Sequence, residues 1–309
     1  MFVKFIAVRV TLLVLAFTIL AGCTGGKTSP TAPGPTQAQA TLSTPSSTNT
    51  PPAPTATQVP LAFKVNGEGV SLSEYNASLK QVQDAQQALG QQSTPEEQHK
   101  MAMDQIIEDA LLAQAARKAG HAVDDAALQA RIDQLAAERG GEAALNDWET
   151  RMGYTADSFR PALRRSLEAA WQRDQIMAGV PTSMEQVHAR QILVLSEAAA
   201  QQVVQQARQA GANFATLAFG YDLSTGGDLG WFPRGYLTQK AIEDAAFSLQ
   251  PGQVSDVIKT DFGYHILQVI ARDPNRPLSP DALQALQRTA LAGWLADARK
   301  QAQIEELAP

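Results

Sequence analysis

The sequence predicts an α+β protein: an all-α lobe made from N-terminal helices and one C-terminal helix, with a separate small β-α-β domain between them. Three observations carry this. From residue 71 to about 177, apolar residues recur at three- and four-residue steps, the period of one helix face. From Pro181 to about residue 273 the chain changes to short β-branched runs, short helices and closely spaced glycines. From Pro280 to Leu307 helical spacing returns, with Leu283, Leu286, Leu291, Trp294 and Leu295 forming a stripe that needs a partner surface.

Before these come two segments that cannot build a core. Lys4 and Arg9 supply positive charge and Val10 to Leu20 is almost wholly apolar, a run too short for an ordinary membrane-spanning helix. Residues 1–22 therefore read as an export signal. Leu20-Ala21-Gly22-Cys23 resembles the lipobox of bacterial lipoproteins, in which the signal is cut before the cysteine and the thiol carries lipid. Cys23 is the only cysteine of the 309 residues, which excludes an internal disulfide and a thiolate metal site. Residues 23–60 continue as Thr, Ser, Pro, Ala and Gln with one charge, Lys27, and read as a lipid-anchored disordered tether. Extended at about 3.1 Å per residue, such a tether reaches roughly 100 Å.

Of the 25 basic residues, Lys4, Arg9 and Lys27 fall in these segments, leaving 22 against 31 acidic residues. That negative balance argues against nucleic acid as a partner and against close docking on anionic lipid. About 250 residues remain, enough for two cores.

The helical lobe is expected over 61–181. Leu61–Val65 is a short β-like run before Asn66-Gly67, and Ser71-Leu72-Ser73-Glu74 has capping-box spacing. Leu72, Tyr75, Leu79, Val82 and Leu89 mark the first helix, which Gly90 stops. Thr94-Pro95-Glu96-Glu97 opens a second with proline at its first position, carrying Met101, Ile106, Ile107, Leu111 and Leu112. Two or three helices follow, one over Ala126–Arg139 and a long one from Thr155 to about Met177 with Phe159, Leu163, Leu167 and Trp171 on its apolar face. The small domain, expected over 182–273, reads as a β run (Val187–Leu195), a helix from Ser196 to Gly211, a short helix at Phe214–Ala218 and a glycine-dense turn. A helix at Ile242–Ser248 and two β runs, Val254–Thr260 and Tyr264–Ile270, complete it. The segment 274–309 is expected as a C-terminal helix packed on the helical lobe.

Five stretches of the small domain, "VHARQILV" (187–194), "FATLA" (214–218), "GGDLGWFPRG" (226–235), "EDAAFSLQPGQVSDVIKT" (243–260) and "DFGYHILQV" (261–269), resemble the parvulin (PpiC) family of peptidyl-prolyl cis-trans isomerases. The flanking layout and "VNGEGVSLSEY" (65–75) resemble foldase and chaperone lipoproteins of the PrsA and SurA type, with a SurA-N-like chaperone lobe around the parvulin insert. The resemblance implies an extracytoplasmic isomerase on the outer face of the cell membrane that helps exported polypeptides with X–Pro bonds to fold. It implies no cofactor. With histidines only at 99, 121, 188 and 265, a metal site is not supported either, and the chain has no G-x-S-x-G or H-E-x-x-H for hydrolysis.

By resemblance the proline cup is Leu229, Leu237 and Ile242, with Phe262 near its rim. Ile242 stands where the family usually has Phe. The polar residues are His265 on the last strand, Thr260 before it, and Gln191, which occupies the place of the family's first-strand histidine. The loop "YDLSTGG" is shorter than usual, so Asp222 or Ser224 fills the family's Asp/Cys position. His188 falls on the opposite strand face from Gln191. Gln can donate and accept hydrogen bonds but cannot titrate. The second reading is therefore a holdase that keeps the parvulin fold as a peptide platform with little turnover.

Overall fold

Asn66 and Gly67, with φ of 54° and 83°, fold the chain back between β1 (Leu61–Val65) and β2 (Glu68–Ser71), the backbone of a tight two-residue hairpin. The computed structural model describes residues 59–307. The export signal expected over 1–22, Cys23 and nearly all of the tether expected over 23–60 lie outside the described residues.

Ser71 caps α1 (Leu72–Ala88) by accepting the Glu74 N–H at 3.1 Å. The reciprocal half of the expected capping box is replaced, because the Glu74 carboxylate is buried against the Arg165 guanidinium. α2 (Pro95–Lys118) has the complete box, with Thr94 and Glu97 satisfying each other's backbone. α3 (Asp125–Arg139), α4 (Glu142–Arg151) and α5 (Ala156–Ala178) follow.

The core of this lobe gathers Phe63, Val65, Val70, Tyr75, Met103 and Ile107 with their neighbours. Two residues of the expected stripes lie outside it. Met101 is exposed and Met103 takes the inward place, while Leu89 is the exposed C-cap one residue past the last turn of α1. On α5 the expected apolar face is only partly realised. Phe159 is buried, but Leu163, Leu167 and Trp171 are half-buried, and Arg165 and Glu168 lie deeper than they do. Both charges are paired, Arg165 with Glu74 and Glu168 with Arg117. A single-sequence stripe cannot show that a buried charge has a partner on another helix.

α9 (Pro280–Gln301) returns to this lobe, with Trp294 and Ala298 against its core and Arg299 paired with Asp104 of α2. It leads into a strand the sequence did not announce, β7 (Ile304–Glu306), which pairs antiparallel with β1 and completes the sheet β2-β1-β7. Its three residues are all exposed, so no apolar alternation marks it.

Between α5 and α9 lies an antiparallel sheet of order β4-β3-β6-β5, made by β3 (Ser183–Val194), β4 (Asp228–Pro233), β5 (Ile258–Thr260) and β6 (Gly263–Pro277). α6 (Glu197–Ala207) and α7 (Phe214–Tyr221) cover one face through Ile192, Ile266, Val203 and Phe214. α8 (Lys240–Ser248) covers part of the other through Val187, Ala189, Phe232, Ile242 and Leu267. β3 and β6 run longer than their apolar segments, and α6 ends at Ala207 rather than Gly211. Of the run expected over Val254–Thr260, only Ile258–Thr260 is strand, with Val254 making a single bridge to Gln268. β4 occupies what reads in sequence as a turn.

Candidate active site

Strand alternation decides which side chains can meet. Val187 and Ala189 of β3 belong to the core under α8, whereas Ile192 and Val194 face α6 and α7. Gln191 and Leu193 therefore share the α8 face, and His188 and Arg190 share the opposite one. On β6 the same rule puts His265 beside Leu267 and Val269 on the α8 face. Gln191 pairs with Leu267 and Leu193 with His265, so Gln191 and His265 are diagonal neighbours on one face.

Their side chains join. His265 Nδ1 lies 2.9 Å from Gln191 Oε1, and His265 Nε2 lies 2.8 Å from Thr260 Oγ1. With the amide in this orientation Nδ1–H donates to Gln191 and Nε2 accepts the Thr260 hydroxyl hydrogen, while Thr260 Oγ1 accepts the Phe262 N–H at 3.1 Å. The imidazole is buried, and burial holds its pKa below the ordinary histidine value. The triad Gln191–His265–Thr260 is thus a chain of neutral groups at neutral pH. The Gln191 NH2 group makes no hydrogen bond among the described residues, which leaves it able to donate outward.

The apolar residues expected as a proline cup lie on the same face. Ile242 is buried in the α8 core, and Leu229 and Leu237 are half-buried against it. Ile258, beside His265 on β5, packs on the same core. These residues make a shallow apolar shelf bordered by the polar triad. Phe262 stands at the β5–β6 turn, 63% exposed.

The loop before β4 is organised by Asp222. Its carboxylate accepts the N–H of Ser224 (2.9 Å), Thr225 (3.2 Å) and Gly227 (3.3 Å), together with the Thr225 hydroxyl. The Thr225 hydroxyl and these backbone donors hold its pKa at about 2. Ser224 is exposed and meets Asp222 only through its backbone N–H. Gly227 then touches β3 directly, its carbonyl accepting the Gln191 N–H at 2.8 Å. At φ 71° it is left-handed, and a Cβ there would stand 1.9 Å from the Gln191 carbonyl oxygen. Only glycine lets this loop lie on the strand that carries Gln191.

His188 is elsewhere. Its Nε2 is 2.7 Å from Asp228 Oδ1 and its ring is tilted on Trp231, on the α6–α7 side of the sheet. Two polar residues that sequence reasoning passed over support the site. Glu243, buried on α8, accepts the N–H groups of Gly235 (2.8 Å), Tyr236 (3.1 Å) and Leu237 (3.2 Å), fixing the loop that carries Leu237. Ser255 accepts the Leu267 N–H at 2.8 Å, extending the pairing of β6 beside His265. Glu243 opens the quoted stretch "EDAAF", but an acidic residue early in a helix reads first as dipole compensation. A cleft of about 310 Å3 opens on the other sheet face, lined by Glu197, Gln201, Arg208, Lys259 and Tyr264, and none of the expected site residues lines it.

Residues 176–271 match the family model described as PPIC-type PPIASE domain, and residues 54–146 match the SurA-like N-terminal domain. The chain carries a PPIC-type domain. The foldase protein PrsA of Geobacillus sp. (strain WCH70) is 36% identical over 126 residues, 39% of this chain and 45% of the relative. The chaperone SurA of Nitrosospira multiformis is 35% identical over 146 residues, 41% of this chain and 33% of the relative. The chain thus matches less than half the length of either relative. The crystal structure of the peptidylprolyl isomerase PrsA from Bacillus cereus aligns with 75% of this chain and 84% of its own, at 21% identity and a TM-score of 0.43. The PPIC-type match contains Gln191, Leu229, Leu237, Ile242, Thr260 and His265, the whole of the triad and shelf.

Proposed function

We propose that this protein is an extracytoplasmic peptidyl-prolyl cis-trans isomerase that assists the folding of exported polypeptides, held at the membrane by lipid on Cys23. The observation that carries the isomerase is the joined Gln191–His265–Thr260 chain beside the shelf of Leu229, Leu237 and Ile242. Turning an X–Pro amide crosses a barrier of roughly 18–20 kcal/mol without breaking a covalent bond. It needs no nucleophile and no charged acid or base. An apolar seat for the proline ring and neutral donors near the twisting amide are the useful elements, because they favour the less conjugated, less planar state. In this reading the shelf takes the ring and the Gln191 NH2 donates to a substrate carbonyl. His265 is the positioning residue that holds Gln191 and Thr260 on either side.

The PrsA- and SurA-type relatives support a folding role, and the SurA-like match over 54–146 supports a peptide-holding helical lobe. We assign 61–181 with 274–309 to that lobe and 182–273 to the isomerase. The export signal (1–22) and the tether (23–60) rest on the "LAGC" stretch and on composition. If membrane-bound protein carried an unmodified Cys23 by mass spectrometry, the lipid anchor would be wrong.

A non-catalytic holdase is the second reading, favoured by Gln191 and by the shallowness of the shelf. Exchange between cis and trans forms of an X–Pro peptide, followed by NMR with catalytic amounts of the full chain, separates the two. Accelerated exchange supports the isomerase. Peptide line broadening without exchange supports the holdase.

A further inference from the structure

Four apolar side chains on the segments that border the triad are left uncovered. Leu193, directly across from His265, is 42% exposed, and Leu195 beyond it is 86% exposed. Phe262, whose N–H is held by Thr260, is 63% exposed. Leu223, in the loop that Asp222 ties down beside Gln191, is 74% exposed. These residues come from three separate segments, the end of β3, the β5–β6 turn and the loop before β4. All three border the strand ends that carry Gln191 and His265. Isolated exposed leucines are ordinary, whereas several gathered around one polar site mark an interaction surface.

The two charges that the loop before β4 and the β5–β6 turn leave without an ion pair on this side, Asp222 and Asp261, are both negative. Asp222 lies one hydrogen bond from Gly227, which itself holds the Gln191 backbone, and exposed Asp261 sits between Thr260 and Phe262. Among the described residues neither makes an ion pair. The nearby cations are turned away: Lys259 points to the other face, with Nζ 5.9 Å from the Tyr264 ring, and Arg190 lies with Asp228 on that face. With a pKa of about 2, Asp222 is an anion under all ordinary conditions.

Resting on the isomerase reading, we infer that this rim selects X–Pro segments whose X residue is apolar and rejects those whose X is acidic. Leu193, Leu195, Leu223 and Phe262 supply the apolar contact, and Asp222 and Asp261 supply the repulsion. The occupant is thus an unfolded polypeptide stretch with an apolar side chain before proline.

The test uses the full chain and four peptides, Ala-X-Pro-Phe with X as Leu, Gln, Lys or Glu. Exchange rates and peptide line broadening are both measured. Leu against Gln isolates apolar contact, and Lys against Glu isolates charge. Contact with one exposed apolar side chain should favour Leu over Gln about fivefold. At about 0.02 M salt the two aspartates should favour Lys over Glu about threefold, the size of an exposed, weakly screened charge interaction. That second ratio should collapse toward one at about 0.5 M salt, where the screening length falls to roughly 4 Å. Leu193→Ser should lower the Leu/Gln ratio, and Asp261→Asn should lower the Lys/Glu ratio. Glu turned over or bound as well as Leu at low salt would overturn the proposal. If no peptide exchanges, the isomerase reading fails, but the line-broadening order still decides the selectivity: Leu first and Glu last supports it, and any order with Glu level with Leu overturns it.

Discussion

At the scale of residues, Gln191 is the position where chemistry and family pattern part. The amide accepts from His265, so the hydrogen-bonded pair exists without a second imidazole. Gln191→His would restore the family's usual pair and stiffen it, since an imidazole has fewer rotatable bonds than a glutamine side chain. A better-held hydrogen bond is worth on the order of 1 kcal/mol, so exchange should accelerate roughly five- to tenfold, read by NMR on an X–Pro peptide. Gly227 is the position with least freedom. Gly227→Ala brings a Cβ against the Gln191 carbonyl at a left-handed φ, so loop and strand must separate. A loss of about 2–4 kcal/mol in chemical denaturation is expected, together with loss of exchange activity. His265, Gln191 and the shelf leucines were legible in the sequence because the family pattern fixes their register. Glu243 was not, because its role is to accept three backbone N–H groups of a loop that is distant in pattern though near in chain. The parts that Asp222 and Ser224 take in the loop before β4 were not legible either, because a carboxylate tying down its own loop depends on backbone N–H groups whose directions no sequence pattern shows.

At the scale of elements, helices were the easier part. Caps at Ser71, Thr94 and Ser196 announce their starts, and Gly90 follows the end of α1. Strands failed where pattern failed. β4 carries a glycine at its centre, and β7 is an exposed Ile-Glu-Glu stretch that exists because β1 offers it an edge. That pairing joins the start and end of the described chain: the Leu307 N–H donates to Ala62 at 2.9 Å and the Asn66 N–H to Gln303 at 2.8 Å. Deleting residues 278–309 removes β7, uncovers the core contact of Trp294 and frees Asp104 from Arg299. Hydrogen exchange over β1, α2 and α5 should then speed up by at least tenfold, while β3 and β6 keep most of their protection. Unchanged protection in α2 would mean that α9 contributes nothing to that lobe.

At the scale of the whole molecule, the two lobes should respond to acid in opposite directions. Burial, offset in part by Arg173 and Arg165 and reinforced by Glu108, pushes Asp109 up to about 6, and burial, only partly offset by Arg165, raises Glu74 as well. In the folded helical lobe these carboxyls bind protons that the unfolded chain releases, so stability there rises as pH falls from 7 toward 5 and declines as pH rises through that window. His265 is the reverse case. Its pKa is lowered by burial, so the unfolded chain takes up the proton first and the sheet domain loses stability as pH falls below about 6.5. Opening free energies from hydrogen exchange at pH 7.5 and pH 5.5 should therefore increase over α1, α2 and α5 and decrease over β3 and β6. A common drop in both lobes would contradict the directions assigned to these three groups.

The central claim is that the α8 face of the four-stranded sheet, and not the cleft of about 310 Å3 on the opposite face, is where X–Pro bonds are turned. The direct measurement is catalysed cis–trans exchange of one Leu-Pro peptide by three full-length proteins of matched thermal stability: the unaltered chain, Thr260→Val and Gln201→Ala. Thr260→Val keeps the side-chain volume but removes the hydroxyl that His265 accepts, and should cut exchange roughly five- to tenfold, the loss of one hydrogen bond. Gln201→Ala alters the cleft and should leave exchange within about twofold. The reverse pattern, with Thr260→Val fully active and Gln201→Ala impaired, would contradict the account.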